Sequence, residues 1–196
     1  MLLLTEFCEE NSLKSYLLKY PGKLSVAAKC RILFDVAKAV LYMHSQFPPV
    51  IHRDIKSDNV FIKAEGTAKL GDFGISKFEE LAIEKDYRTE TVATLQYMAP
   101  ESMHSSSYTT ASDIYSFGIV GWELLVEQSP FEGKQEFNLI QSVANNKEKL
   151  CLSKIKTPVP SGLKDLLAQC MNYELSQRPS ADFICETLSS ICSKNS

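Results

Sequence analysis

His52-Arg53-Asp54-Ile55-Lys56-Ser57-Asp58-Asn59, then Asp72-Phe73-Gly74, then Ala99-Pro100-Glu101 are the three stretches on which the reading of this 196-residue sequence turns. Each alone is a weak signal, because a short acidic or basic triplet occurs by chance and an isolated Asp in a polar loop is usually a solvated turn carboxylate. Their order and spacing together are a strong one.

Directly after the first stretch the hydrophobic period shortens. Val60-Phe61-Ile62 and Ala68-Lys69-Leu70 read as two short strands joined through Glu65-Gly66. Upstream, Ile32, Leu33, Val36, Ala37, Val40 and Leu41 recur in steps of three and four, which predicts one buried helical face within residues 25–44, ended by Pro48-Pro49. A shorter helix is predicted over 13–20, stopped by Pro21-Gly22, after a polar connector at 9–12 and an apolar strand over 1–8. Downstream of a charged, Thr-rich stretch from Ser76 to Thr94, helices are predicted over 111–126, 137–145, 161–171 and 181–191. The fold class is therefore α+β, a mainly helical body carrying a short hairpin and one further strand.

The chain is 44% hydrophobic and 23% charged, the balance of a globular domain with a real core, and one domain is expected. A formal charge of −3, with both signs interspersed, offers no basic stripe for a phosphate backbone, so nucleic acid is not an expected partner. The six cysteines form no CxxC pair and read as reduced, mostly buried thiols. No signal peptide or membrane span is evident. The most apolar run, 115–126, is short and contains Glu123, which suits a buried helix. The expected location is cytoplasmic.

The three stretches resemble the catalytic loop, the magnesium motif and the end of the activation segment of protein kinases, in that order, and the resemblance covers essentially the whole chain. Lys56 with Thr94 resembles the serine/threonine type. Thr5-Glu6-Phe7, the loop IKSDN and the run YMAPE are similar to the tyrosine-kinase-like group, with its receptor-interacting and mixed-lineage kinases.

The resemblance implies transfer of the γ-phosphate of ATP to Ser or Thr hydroxyls of protein substrates, with Mg2+. It implies Asp54 as the group that accepts the hydroxyl proton, Lys56 as positive charge beside the transferred phosphoryl group, and Asn59 and Asp72 as hard oxygen donors to the metal. Thr5 would guard the back of the adenine pocket, Glu6, Phe7 and Cys8 would form the hinge against adenine, and Phe61 would form the pocket floor. His52 is expected to be structural, Asp113 to anchor the catalytic loop, and Glu101 with Arg178 to form a bidentate pair. Arg53 resembles an arginine that receives a phosphate from the activation segment, where Tyr87, Thr89 and Thr91 are the acceptors, so an upstream kinase acting on Thr89 or Thr91 is a further expectation.

The pattern also departs from the family. Residues 1–196 correspond to the hinge and lower lobe, whereas upper-lobe strands 1 to 4 and helix C, with their Gly-rich loop, strand-three Lys and helix-C Glu, have no counterpart here. Loss of even one preorganised charge-stabilising donor costs roughly 100 to 1000-fold in rate, so this chain by itself is expected to be nearly inert. The alternative is a catalytically silent kinase-homology module that binds partners. Ala93 stands where the family carries Gly before the substrate-binding loop, which puts peptide specificity in doubt.

Overall fold

A computed structural model describes residues 6–72, 77–78, 95–105, 107–145 and 148–194. Helix α1 (Leu13–Lys19) starts where the Ser12 hydroxyl accepts from the Ser15 N–H and ends at Pro21-Gly22, with Gly22 at φ +67°. Helix α2 (Val26–His44) is capped by Ser25 in the same way and buries Ile32, Leu33, Val36, Ala37 and Val40 on one stripe. Leu41, expected on that stripe, is only half buried.

A two-residue strand, β1 (Val50–Ile51), leads into the polar loop, which closes with a 3-10 turn at Ser57–Asn59. The hairpin β2 (Val60–Ile62) and β3 (Ala68–Leu70) follows as expected, paired Val60 to Leu70 and turned through Gly66 at φ +82°. β4 (Lys77–Phe78) returns antiparallel to β1, with Val50 opposite Phe78. That pairing was not foreseen.

Helix α3 (Pro100–Ser105) was also missed, since six residues offer too little periodicity to read. Helices α4 (Thr110–Val126), α5 (Glu136–Ala144), α6 (Leu163–Cys170) and α7 (Ala181–Lys194) match the four expected ones, with ends shifted by at most three residues. α7 lies along α2. α4 is the centre of the body, with Ile114, Phe117, Ile119, Val120, Trp122 and Leu124 all buried. It meets α6 at glycines: a Cβ on Gly121 would sit 2.5 Å from Leu167 Cδ2, and one on Gly118 2.7 Å from Met171 Cγ.

The strand expected over residues 1–8 is corrected in part. Residues 1–5 lie outside the described residues, and 6–8 are not strand. Backbone pairing to β2 begins only at Glu10, whose N–H donates to Ile62 O, while the Ile62 N–H donates to Asn11 O, so 6–8 precede the ladder. Among the described residues no helix is long and apolar enough to cross a membrane. The architecture is α+β, a helical body with the hairpin and the polar loop on one side.

Candidate active site

The polar loop takes its shape from one buried carboxylate. Asp113, in the first turn of α4, accepts the His52 N–H at 2.8 Å and the His44 Nε2–H at 2.9 Å on Oδ2, and the Arg53 N–H at 2.9 Å on Oδ1. A carboxylate excluded from water is costly unless its lone pairs are filled, and here three donors from two elements fill them. This grip holds Arg53 at φ +72°, a left-handed conformation that non-glycine residues avoid and that turns the chain toward Asp54. The Arg53 guanidinium lies over the Tyr108 ring at 4.5 Å.

His52 is fully buried and does not face the site as a base. Its Nδ1 accepts from the Asp54 N–H at 3.3 Å, which leaves the proton on Nε2 to be donated to Gly71 O at 3.0 Å. Histidine therefore ties the loop to the backbone next to Asp72. Phe73, under which His52 was expected to pack, lies outside the described residues. The Gly71 N–H donates to Asn59 O, a second tie between the same two segments.

Asp54, Lys56 and Asn59 come together. Lys56 Nζ lies 2.7 Å from Asp54 Oδ2, and Asn59 Nδ2 donates to that same oxygen at 2.9 Å and to Asp54 O at 2.8 Å. One oxygen of Asp54 is thus held by a cation and an amide. The other, Oδ1, is buried and has no hydrogen-bond partner among the described residues. A fixed carboxylate with one unengaged oxygen suits it to receive a proton from an incoming hydroxyl.

Asn59 spends its amide nitrogen on Asp54, which leaves its amide oxygen as a ligating atom. Asp72 is exposed at φ +61°, one residue beyond Gly71. Among the described residues no group of three or more His, Cys, Asp or Glu could hold a metal. Magnesium needs no such cage, since it is held by one or two protein oxygens and completes its shell with water and phosphate. The donor set Asn59 and Asp72 fits that ion.

On the hinge side the residues are looser. Phe7 is 77% exposed and Cys8 is half buried. Glu6 pairs with Lys63 at 3.0 Å and Lys69 at 3.4 Å, the two hairpin lysines that hold its carboxyl below the usual range. Phe61 is half buried with its ring edge over Gly71, where a Cβ would sit 2.9 Å from Phe61 Cε2. Thr5, Thr89 and Thr91 lie outside the described residues.

Glu101 and Arg178 form the expected bidentate pair, Nη1 to Oε1 at 2.7 Å and Nη2 to Oε2 at 2.8 Å, with the Arg178 side chain fully buried. Two features had escaped the sequence reading. One is the Lys14 to Asp58 ion pair at 3.1 Å, and the other is a contact among Ser57, Tyr97 and the buried Glu123. The only local hint of the latter was a lone carboxylate inside the apolar run 115–126.

Comparison with known proteins accords with this geometry. A family described as protein tyrosine and serine/threonine kinase matches residues 1–188. The chain belongs to that family. It is 34% identical over 178 residues to a serine/threonine-protein kinase of Dictyostelium discoideum, covering 90% of this chain and 16% of that protein. It is 34% identical over 183 residues to a mitogen-activated protein kinase kinase kinase 7-like protein of Drosophila melanogaster, covering 91% and 45%. It is 34% identical over 179 residues to serine/threonine/tyrosine-protein kinase HT1 of Arabidopsis thaliana, covering 91% and 43%. The chain thus spans less than half the length of these relatives.

Proposed function

We propose that this chain is the substrate-facing, catalytic half of a protein serine/threonine kinase that transfers the γ-phosphate of ATP to Ser or Thr hydroxyls of proteins. The observation that carries the reading is the Asp54 carboxylate, with Oδ2 pinned by Lys56 and Asn59 and Oδ1 buried and unengaged. In this reading Oδ1 takes the proton of the substrate hydroxyl, and Lys56 keeps Asp54 oriented while offering positive charge toward the transferred group. Asn59 and Asp72 hold magnesium, which when bound offsets the charge of the phosphates. Glu6, Phe7 and Cys8 line adenine at the hinge with Phe61 below it, and the role of guarding the back of the pocket is assigned to Thr5. The phosphate-gripping Gly-rich loop and its Lys–Glu pair are supplied from outside these 196 residues. Thr89 or Thr91 is the acceptor for an upstream kinase, with Arg53 as the receiving cation. All six cysteines are free thiols, which agrees with a reducing, cytoplasmic setting.

The test is nucleotide binding by the purified chain, followed by thermal stability with ATP and magnesium against an Asp72→Asn control. A magnesium-dependent rise in melting temperature that the control lacks supports the reading. A folded protein with no shift refutes ATP binding by this chain and turns attention to partner docking.

A further inference from the structure

Three oxygens from three separate elements meet in the interior beneath the catalytic loop. Tyr97 Oη lies 2.7 Å from Glu123 Oε2, Ser57 Oγ lies 3.0 Å from Glu123 Oε1, and Ser57 Oγ lies 3.0 Å from Tyr97 Oη. Ser57 belongs to the catalytic loop, three residues after Asp54. Tyr97 belongs to the stretch that resembles the substrate-binding loop, and Glu123 is on α4, 3% exposed among Trp122, Leu124 and Leu125. Each of the three contacts needs one proton to be a hydrogen bond, and the two hydroxyls supply two. With an ionised Glu123 one contact is left as lone pair against lone pair. With a protonated Glu123 all three close: Tyr97 donates to the carboxyl, the carboxyl donates to Ser57, and Ser57 donates to Tyr97.

We propose that Glu123 is a positioning residue of phosphoryl transfer, whose proton completes a ring with Tyr97 and Ser57 that holds the substrate-binding loop on the catalytic loop. The inference rests on the kinase reading for its consequence in turnover, and on the geometry alone for the ring. Burial pushes the Glu123 carboxyl up to about 7, so the ring is poised to open in the physiological range. From the neighbouring elements Lys14 on α1 and Asp58 of the catalytic loop also face it. They are ion-paired to each other at 3.1 Å, so their opposite fields largely offset. The Tyr97 carbonyl is held separately by the Ser116 hydroxyl at 2.8 Å, so opening the ring breaks the direct Ser57–Tyr97 link between the two loops without detaching the substrate-binding loop from α4.

The experiment uses the assembled kinase of which this chain forms the lower lobe, with a Ser-containing peptide selected from a degenerate library, at about pH 6.5 and about pH 8.5. The closed ring loses population about tenfold per pH unit above the carboxyl's pKa. The wild-type KM for peptide is therefore expected to rise roughly 25-fold over that range, with kcat little changed. Glu123→Gln, whose amide donates to Ser57 and accepts from Tyr97 at every pH, should abolish the pH dependence of KM. Tyr97→Phe, which keeps the ring volume, should show a raised KM at both pH values. A Gln variant that tracks the wild-type profile overturns the proposal. The ring is also read without turnover, by the carboxylic-acid C=O stretch in infrared spectra of wild type minus Glu123→Gln and by amide hydrogen exchange over 95–99. If the assembled kinase phosphorylates no peptide, the kinase reading fails. An acid band at about pH 6 with faster exchange in Tyr97→Phe then sustains the ring, and absence of the band or unchanged exchange overturns it.

Discussion

The catalytic loop and the hinge segment both adjoin the β2–β3 hairpin and are built in opposite ways. The loop is clamped from inside: Asp113, His52 and Asn59 are buried, and they hold His52, Arg53, Asp54 and Gly71 through short hydrogen bonds. The hinge residues Glu6 and Phe7 are exposed, and Glu6 is fastened to the hairpin by surface ion pairs to Lys63 and Lys69. Buried polar clamps are strong because an unpaired member is costly in the interior. Exposed ion pairs contribute little because water and salt screen them. The Asp54 carboxylate is thus fixed by this chain's own interior, whereas residues 6–8 are held by contacts at the surface.

The largest effect expected from breaking the clamped side is on chemistry. Asp54→Asn keeps the shape and the contacts to Lys56 and Asn59 but gives up the basic oxygen, so phosphotransfer by the assembled kinase should fall about 100 to 10,000-fold. Magnesium-ATP binding, followed by thermal shift, should persist. Retention of wild-type turnover would remove Asp54 as the proton acceptor and with it the functional meaning of the clamp.

Next comes stability. Asp113→Ala strands the buried His52 and Arg53 N–H groups, and a loss of roughly 3–5 kcal/mol is expected in urea unfolding. A loss below about 1 kcal/mol would mean that the left-handed Arg53 is held by something else and that the two regions differ less than their burial suggests.

A third effect comes from Glu123. Its folded-state carboxyl is raised above the ordinary value of 4.5 to about 7, so between those values the folded chain binds more protons than the unfolded one. The stability this group contributes is complete below about 4.5 and is lost as pH rises through about 7, by roughly 3 kcal/mol. Glu123→Gln should remove that slope from a pH series of unfolding free energies. An unaltered slope would place the titration elsewhere.

Much of this was legible in the chain. Helices α2, α4, α6 and α7 announced themselves by apolar spacing, and Asp54, Lys56, Asn59 and Asp72 by order within motifs. What could not be read were pairings between distant short segments. β1 and β4 are two residues each and carry no period. Glu123 finds Ser57 and Tyr97 at separations of 66 and 26 residues. In the sequence it served only to argue against a membrane span, because a lone carboxylate in an apolar run shows that a partner must exist without saying where. The strand expected over 1–8 fails at 6–8, where Glu6 and Phe7 face water and the backbone pairs with β2 only from Glu10 onward.

The smallest effect tests the weak side of the comparison. Glu6→Gln removes both hairpin ion pairs at a site open to water. Because its carboxyl is held low by Lys63 first and Lys69 second, any contribution it makes is present above the ordinary carboxylate value and fades as pH falls below it. At about 0.15 M salt the Debye length is about 8 Å, and the variant should melt with the wild type within error. At low salt a small decrease should emerge, since screening is then relieved. A clear loss that persists at high salt would mean that the hinge is held by buried contacts as firmly as the catalytic loop, and ATP should then bind without any covering element to order it.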